Sequence, residues 1–159
     1  MREEFSTLTK RFQREGYRLA GIVKTLKQNP VSLNKGDTMA NPFVHVELNT
    51  TDVSKAKDFY GKLFAWELED IPMGEGASYT MISVGKGTGG GIMKHPIPGE
   101  ASAWLAYVQV DDIAAATQKA KSLGATIVKD VTEVADYGWL SIIVDPTGAT
   151  LGLWKPKSS

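Results

Sequence analysis

The chain reads as an α+β protein: two tandem βαβββ modules whose eight strands form one curled mixed sheet around a cleft, with the helices outside. Three observations predict this. An alternating segment runs into a capped helix at Phe43–Leu63, the same pattern returns sixty positions later, and glycine-containing turns precede the last strand of each half. Modules 41–95 and 101–156 make one domain over 39–159, with Ile97-Pro98-Gly99-Glu100 as the linker between them. A basic extension, residues 1–38, precedes the domain.

In the first module Val44, Val46 and Leu48 alternate with His45, Glu47 and Asn49, as on the two faces of a strand. Asp52 reads as a helix N-cap, since its carboxylate can accept from free N–H groups of the first turn. Val53, Ala56, Phe59, Tyr60 and Leu63 then form one apolar stripe at helical spacing. Trp66–Ile71 and Ser78–Val84 read as the second and third strands. The run Gly85–Gly91, G-K-G-T-G-G-G, lacks the lysine and Ser/Thr that end a phosphate-loop motif after its last glycine and opens no helix, so it reads as a hairpin.

The second module repeats these elements. Ala103–Val110 alternates, and Asp112 stands sixty positions after Asp52. Ile113, Ala116, Ala120 and Leu123 repeat the stripe, and Gly124 closes the helix. Thr126–Asp130 and Gly138–Val144 follow as strands, and Asp145-Pro146-Thr147-Gly148 is a turn. Val84–Lys94 matches Val144–Lys155 with one residue inserted. His95 falls beside the linker, where a solvated side chain is expected.

Residues 1–38 hold eight Lys/Arg and four acids, leaving ten basic and fourteen acidic residues for the remainder. Phe5, Leu8, Phe12, Leu19, Ile22, Val23 and Leu26 keep a rough helical period that Pro30 ends. A disordered extension, a helix docked on the domain or a partner, and a basic targeting segment are the open readings. Glu3, Glu4 and Glu15 count against the last, because targeting segments are poor in acids.

Composition excludes several classes. The formal net charge of +0 gives no strongly basic surface for nucleic acid. No apolar run reaches the roughly 20 residues of a membrane span. The absence of cysteine removes disulfides and thiolate metal sites and fits a cytoplasmic protein.

The segments F-V-H-V-E-L-N-T-T-D-V-S-K-A-K-D-F-Y-G-K-L-F-A-W-E, V-D-D-I-A-A-A-T-Q-K-A-K-S-L-G-A and V-D-P-T-G-A-T-L-G-L-W resemble the vicinal oxygen chelate superfamily. That superfamily includes glyoxalase I, bleomycin resistance proteins and extradiol dioxygenases. The resemblance implies four metal-ligand positions in metal-dependent members, one on the first and one on the last strand of each module. Here they fall on His45, Leu105, Gly91 and Gly152, of which only His45 can ligate. Glu47, two residues on and facing the same way, is a possible second ligand, but two ligands from one strand would hold a metal poorly. No tightly bound metal and no other cofactor is therefore expected, with a divalent metal as the alternative.

The cleft is expected to be roomy at Gly91 and Gly152 and lined by Tyr79, Leu105, Tyr107, Gln109, Trp139, Thr150 and Trp154. Such an aromatic, mostly apolar lining suits a small organic ligand. His45 and Glu47 are the candidate catalytic pair, because a neighbouring carboxylate raises imidazole basicity. Against this stands a purely interior histidine, and tryptophans that only fill the core. The functional expectation is a small-molecule-binding protein of glyoxalase/bleomycin-resistance type without a catalytic metal. Its alternative is a glyoxalase-related lyase or isomerase, or a dioxygenase-like enzyme, using His45 and Glu47. The resemblance also implies a homodimer. An interaction role for the extension is a third reading.

Overall fold

Among the described residues ten elements follow one another as the repeat requires: β1 (Phe43–Thr50), α1 (Val53–Leu63), β2 (Glu67–Gly74), β3 (Ala77–Ser83), β4 (Gly90–Lys94), β5 (Ala103–Gln109), α2 (Ile113–Ser122), β6 (Thr126–Val134), β7 (Gly138–Val144) and β8 (Thr150–Pro156). This computed structural model describes residues 40–74, 77–134 and 137–157. The readings of the basic extension lie outside the described residues.

The strands make one sheet in the order β2-β3-β4-β1-β5-β8-β7-β6. Each module contributes four neighbouring strands, and the modules meet where β1 pairs antiparallel with β5. That seam aligns His45 with Tyr107, Val46 with Ala106 and Glu47 with Leu105, so an approximate two-fold passes through the Val46–Ala106 pair. One apolar cluster draws Ile71 from β2 and Val134 from β6, the two ends of the strand order. The sheet therefore curls until its edges share a core on the concave side, while the helices pack on the convex side.

Local chemistry sets these elements as expected. Asp52 and Asp112 cap their helices by accepting from the N–H of Lys55 and Ala115, at 3.0 and 2.9 Å. Gly124 follows α2 at φ +94°, a conformation that costs glycine little. The Asp145 carboxylate gathers Thr147 N–H, the Thr147 hydroxyl and Ala149 N–H into the turn before β8.

The second strands run further than expected, to Gly74 and Val134 rather than Ile71 and Asp130. Pro72 lies inside β2 because β2 is an edge strand, where a missing N–H leaves no neighbour unpaired. In β6 two register shifts opposite β7 break the alternation that would have revealed its length. A bulge in β1 between Phe43 and His45 also moves Val44 out of its expected set, and it packs on the concave cluster.

The two helices are not equally covered. Helix α2 buries Ile113 and Thr117, whereas α1 buries no residue fully. Val53, Ala56 and Tyr60 pack on Leu48, Ile82 and Ile92, but Phe59 and Leu63 are 57% and 54% exposed, so two of the five residues of the expected stripe face outward.

A Cβ at position 124 would be forced into the left-handed region. Gly124→Ala should therefore lower the unfolding free energy by about 1–2 kcal/mol, measured by urea denaturation.

Candidate functional site

The alternation of β1 delivers His45, Glu47 and Asn49 to the concave face, and all three are buried. Their cross-strand neighbours come from both modules: Glu47 sits opposite Gly91 on β4 and Leu105 on β5, and His45 sits opposite Tyr107. The Tyr79 hydroxyl lies 2.8 Å from His45 Nε2 and donates to Glu47 Oε2 at 3.1 Å. Asn49 Nδ2 and the Tyr107 hydroxyl donate to Glu47 Oε1 at 3.3 and 3.4 Å. One carboxyl group, withdrawn from water, is thus held by two phenols and an amide.

Gly91 and Gly152 were expected to leave room, and the structure corrects this. A Cβ at Gly91 would overlap the Tyr79 hydroxyl and ring edge, and a Cβ at Gly152 would overlap the Tyr107 ring. The space that each missing side chain vacates is filled by a tyrosine. Gly152 pairs directly with Tyr107 across β5 and β8, as Gly91 pairs with Glu47 across β1 and β4. His45 lies between the two rings, stacked on Tyr79 and edge-on to Tyr107.

Burial sets the protonation of this group. It raises the Glu47 carboxyl from 4.5 to about 7, although hydrogen bonds from Tyr79, Asn49 and Tyr107 pull the other way. It lowers His45 from 6.5 to about 3, so the imidazole is neutral at pH 7. Burial, then the nearby Glu47 and Tyr107, hold the Tyr79 phenol well above 10. Two proton arrangements satisfy the chain. With Glu47 ionised, Tyr79 donates to the carboxylate and accepts from His45 Nε2–H. With Glu47 protonated, the acid donates to Tyr79, which donates to His45 Nε2. Tyr79 thereby links the two titratable groups.

Of the other predicted residues, Leu105 and Trp154 join Tyr79 and Tyr107 in the concave cluster. Gln109 lies at the end of β5, half-buried, and its main chain is tied to Asn41 and Pro42. Trp139 does not reach the cleft. It packs with Ile143 and Leu153 on the helix side, near Lys155 and Lys157. The cause is register: Gly91 pairs with Met81 and Gly152 with Ile142, an offset of sixty-one. The inserted residue therefore precedes β7, and a one-residue slip exchanges faces, so Leu140 takes the place corresponding to Tyr79. Asn49 was in the right alternation but drew no role. His95, expected in solvent, is half-buried with Nδ1 against the main chain of Ile97.

Beside the network lies a recess of about 120 Å³, whose lining includes Glu47, Asn49, His95, Leu105, Ile142 and Thr150. Three buried polar atoms have no partner among the described residues: His45 Nδ1, Asn49 Oδ1 and Trp154 Nε1. As for a divalent cation, Gly91, Gly152 and Leu105 offer no donor, and His45 Nε2 is engaged by Tyr79. Among the described residues no group of three or more His, Cys, Asp or Glu side chains comes together. The residues present do not fit the three-ligand minimum of a catalytic divalent site.

Gly91→Ala should cost about 1–3 kcal/mol through overpacking against Tyr79, and the cost should largely vanish in a Tyr79→Ala background. A double-mutant cycle in urea measures this. Stability should also vary with pH in a defined way. His45 binds its proton less tightly when folded, so stability falls as pH drops from 6.5 towards 3. Glu47 binds its proton more tightly when folded, so stability falls as pH rises from 4.5 towards 7. The two slopes oppose between 4.5 and 6.5, which leaves a plateau there. Glu47→Gln should abolish the loss on the alkaline side, read from melting temperatures at pH 5–8.

A family model described as Glyoxalase/Bleomycin resistance protein/Dioxygenase superfamily matches residues 43–153. The Mycobacterium bovis protein named "Putative glyoxylase CFP32" is 37% identical over 115 residues, covering 69% of this chain and 44% of its own. The Mycobacterium tuberculosis protein of that name matches equally. The chain thus spans less than half the length of these relatives. Among solved structures, hypothetical protein BH1468 from Bacillus halodurans superposes with a TM-score of 0.58 at 16% identity, over 76% of this chain and 98% of its own. Methylmalonyl-CoA epimerase from Mycobacterium tuberculosis superposes with a TM-score of 0.56 at 17% identity, over 73% and 88%. At such identities these structures share the fold alone. From the family match and the relatives at 37% identity, the chain belongs to the Glyoxalase/Bleomycin resistance protein/Dioxygenase superfamily.

Proposed function

We propose that this chain is a small-molecule-binding protein of the glyoxalase/bleomycin-resistance type that works without a catalytic divalent metal. The observation that carries this reading is the mutual packing of Tyr79 on Gly91 and Tyr107 on Gly152. At both last-strand positions a phenol ring stands where a ligating side chain would have to project. The neighbouring recess supports binding: it has apolar walls at Leu105 and Ile142 and a polar end at Glu47 and Asn49. It is small beside the roughly 300 Å³ of the smallest usual ligand pockets, so it suits the end group of a ligand rather than a whole drug-sized molecule.

A second reading is favoured by one observation. A carboxyl group that titrates near 7 is matched to proton transfer at neutral pH, and Tyr79 connects it to His45. In that reading Glu47 exchanges a proton with a ligand in the recess and His45 tunes it through Tyr79. The mycobacterial relatives carry glyoxylase in their name, and fold neighbours include methylmalonyl-CoA epimerase, which makes a proton-transfer enzyme a natural competitor.

After incubation with nickel, zinc or ferrous iron followed by gel filtration, elemental analysis should find well below one equivalent retained. Stoichiometric metal that disappears in His45→Ala would sink the metal-free reading. Tryptophan fluorescence should respond to small ligands that enter the recess. Solvent deuterium that enters a bound ligand, and no longer does so in Glu47→Gln, would mark proton transfer in addition to binding.

A further inference from the structure

The polar end of the recess is built unusually. Asn49 is 7% exposed, and its Nδ2 is turned to Glu47, which fixes the orientation of the amide. Its Oδ1 is buried and has no partner. A buried carbonyl oxygen left unpaired is destabilising, so its retention calls for a donor that arrives from outside. Glu47 borders the same recess. The hydroxyls nearest to it, on Tyr79 and Tyr107, point their protons at the carboxylate and are spent there. The His95 Nδ1 is held by Ile97. Thr150 is exposed, at the mouth. Glu47 and Asn49 thus offer acceptors at the buried end, the wall also carries the His95 and Trp104 rings, and no lining side chain is a lysine or arginine.

We propose that this recess receives the head of a small primary amine, whose ammonium group donates to Asn49 Oδ1 and to the Glu47 carboxylate while its carbon chain lies along Leu105 and Ile142. This rests on the ligand-binding reading above and names its ligand class. An ammonium group carries three donors, enough for both acceptors at once, whereas a hydroxyl carries one. A ligand carboxylate or phosphate would meet a second carboxylate with no cation to offset it. The volume agrees: an engineered apolar cavity of about 150 Å³ in another protein holds benzene, so about 120 Å³ takes a head group of roughly five or six heavy atoms.

Binding is linked to protons. The groups that face Glu47 are His45 and Asn49 on its own strand, Tyr79 from β3 and Tyr107 from β5, with His95 across the recess. None of these brings a fixed positive charge to the carboxylate. An alkylammonium stays charged to about pH 10, so the change in affinity between pH 6 and 8 follows the ionisation of Glu47.

The test is a calorimetric or NMR titration of the purified chain with butylamine, butanol and butyrate at pH 6 and pH 8. The amine should bind at least about tenfold more tightly than either analogue, and about tenfold more tightly at pH 8 than at pH 6. Asn49→Leu should weaken the amine about tenfold or more, in a variant whose cooperative urea unfolding shows that it is folded. Butanol or butyrate binding as tightly as the amine overturns the amine assignment and leaves the ligand-binding reading standing. No binding by any of the three, with no tryptophan response to other small ligands, overturns both.

Discussion

Everything at the centre of this molecule depends on one carboxyl group taken out of water. Glu47 is 1% exposed, and an ionised carboxylate in such a place is tolerated only when donors reach its oxygens. Tyr79, Tyr107 and Asn49 provide them, and each comes from a position that the duplication and the pleat of the sheet determine. His45 stays neutral and completes the chain from the far side of Tyr79. The seam between the modules is thus joined by a polar network as well as by the β1–β5 ladder.

The two modules share a backbone plan and have diverged at the seam. Position for position, Glu47 corresponds to Tyr107 and His45 to Leu105. One module supplies the titratable groups and the other supplies a phenol and an apolar wall. This division gives the concave face a polar side and a greasy side from a nearly symmetric scaffold. The convex face shows its own asymmetry, since α2 is seated on its module while α1 leaves Phe59 and Leu63 in solvent.

Much of the fold was legible in the sequence because it rests on local rules. The caps at Asp52 and Asp112, the glycine after α2 and the Asp145 turn each act within a few residues. The doubled pattern then supplied the tertiary plan. What depended on register between distant strands was harder to read. Sequence spacing alone puts Trp139 on the wrong face, because a single inserted residue can sit on either side of β7 and only the pairing of Ile142 with Gly152 decides. Val44 was misassigned for a similar reason, the bulge in β1. In the site, His45 and Glu47 were visible by alternation. The filling of the two glycine positions was not, because Tyr79 reaches Gly91 from another strand, and one-dimensional pattern carries no such distance. Asn49 stood in plain view two residues from Glu47, but an unpaired amide oxygen is apparent only in three dimensions.

The packing of Tyr79 on Gly91 and of Tyr107 on Gly152 has a consequence for substitution. Each ring and its glycine form a lock in which neither half can be exchanged alone. A carboxylate introduced at either glycine collides with the ring, and loss of the ring alone opens a void beside a buried acid. Installing a ligating side chain at either glycine would require a paired change, glycine and ring together, with each single change less well folded than the pair.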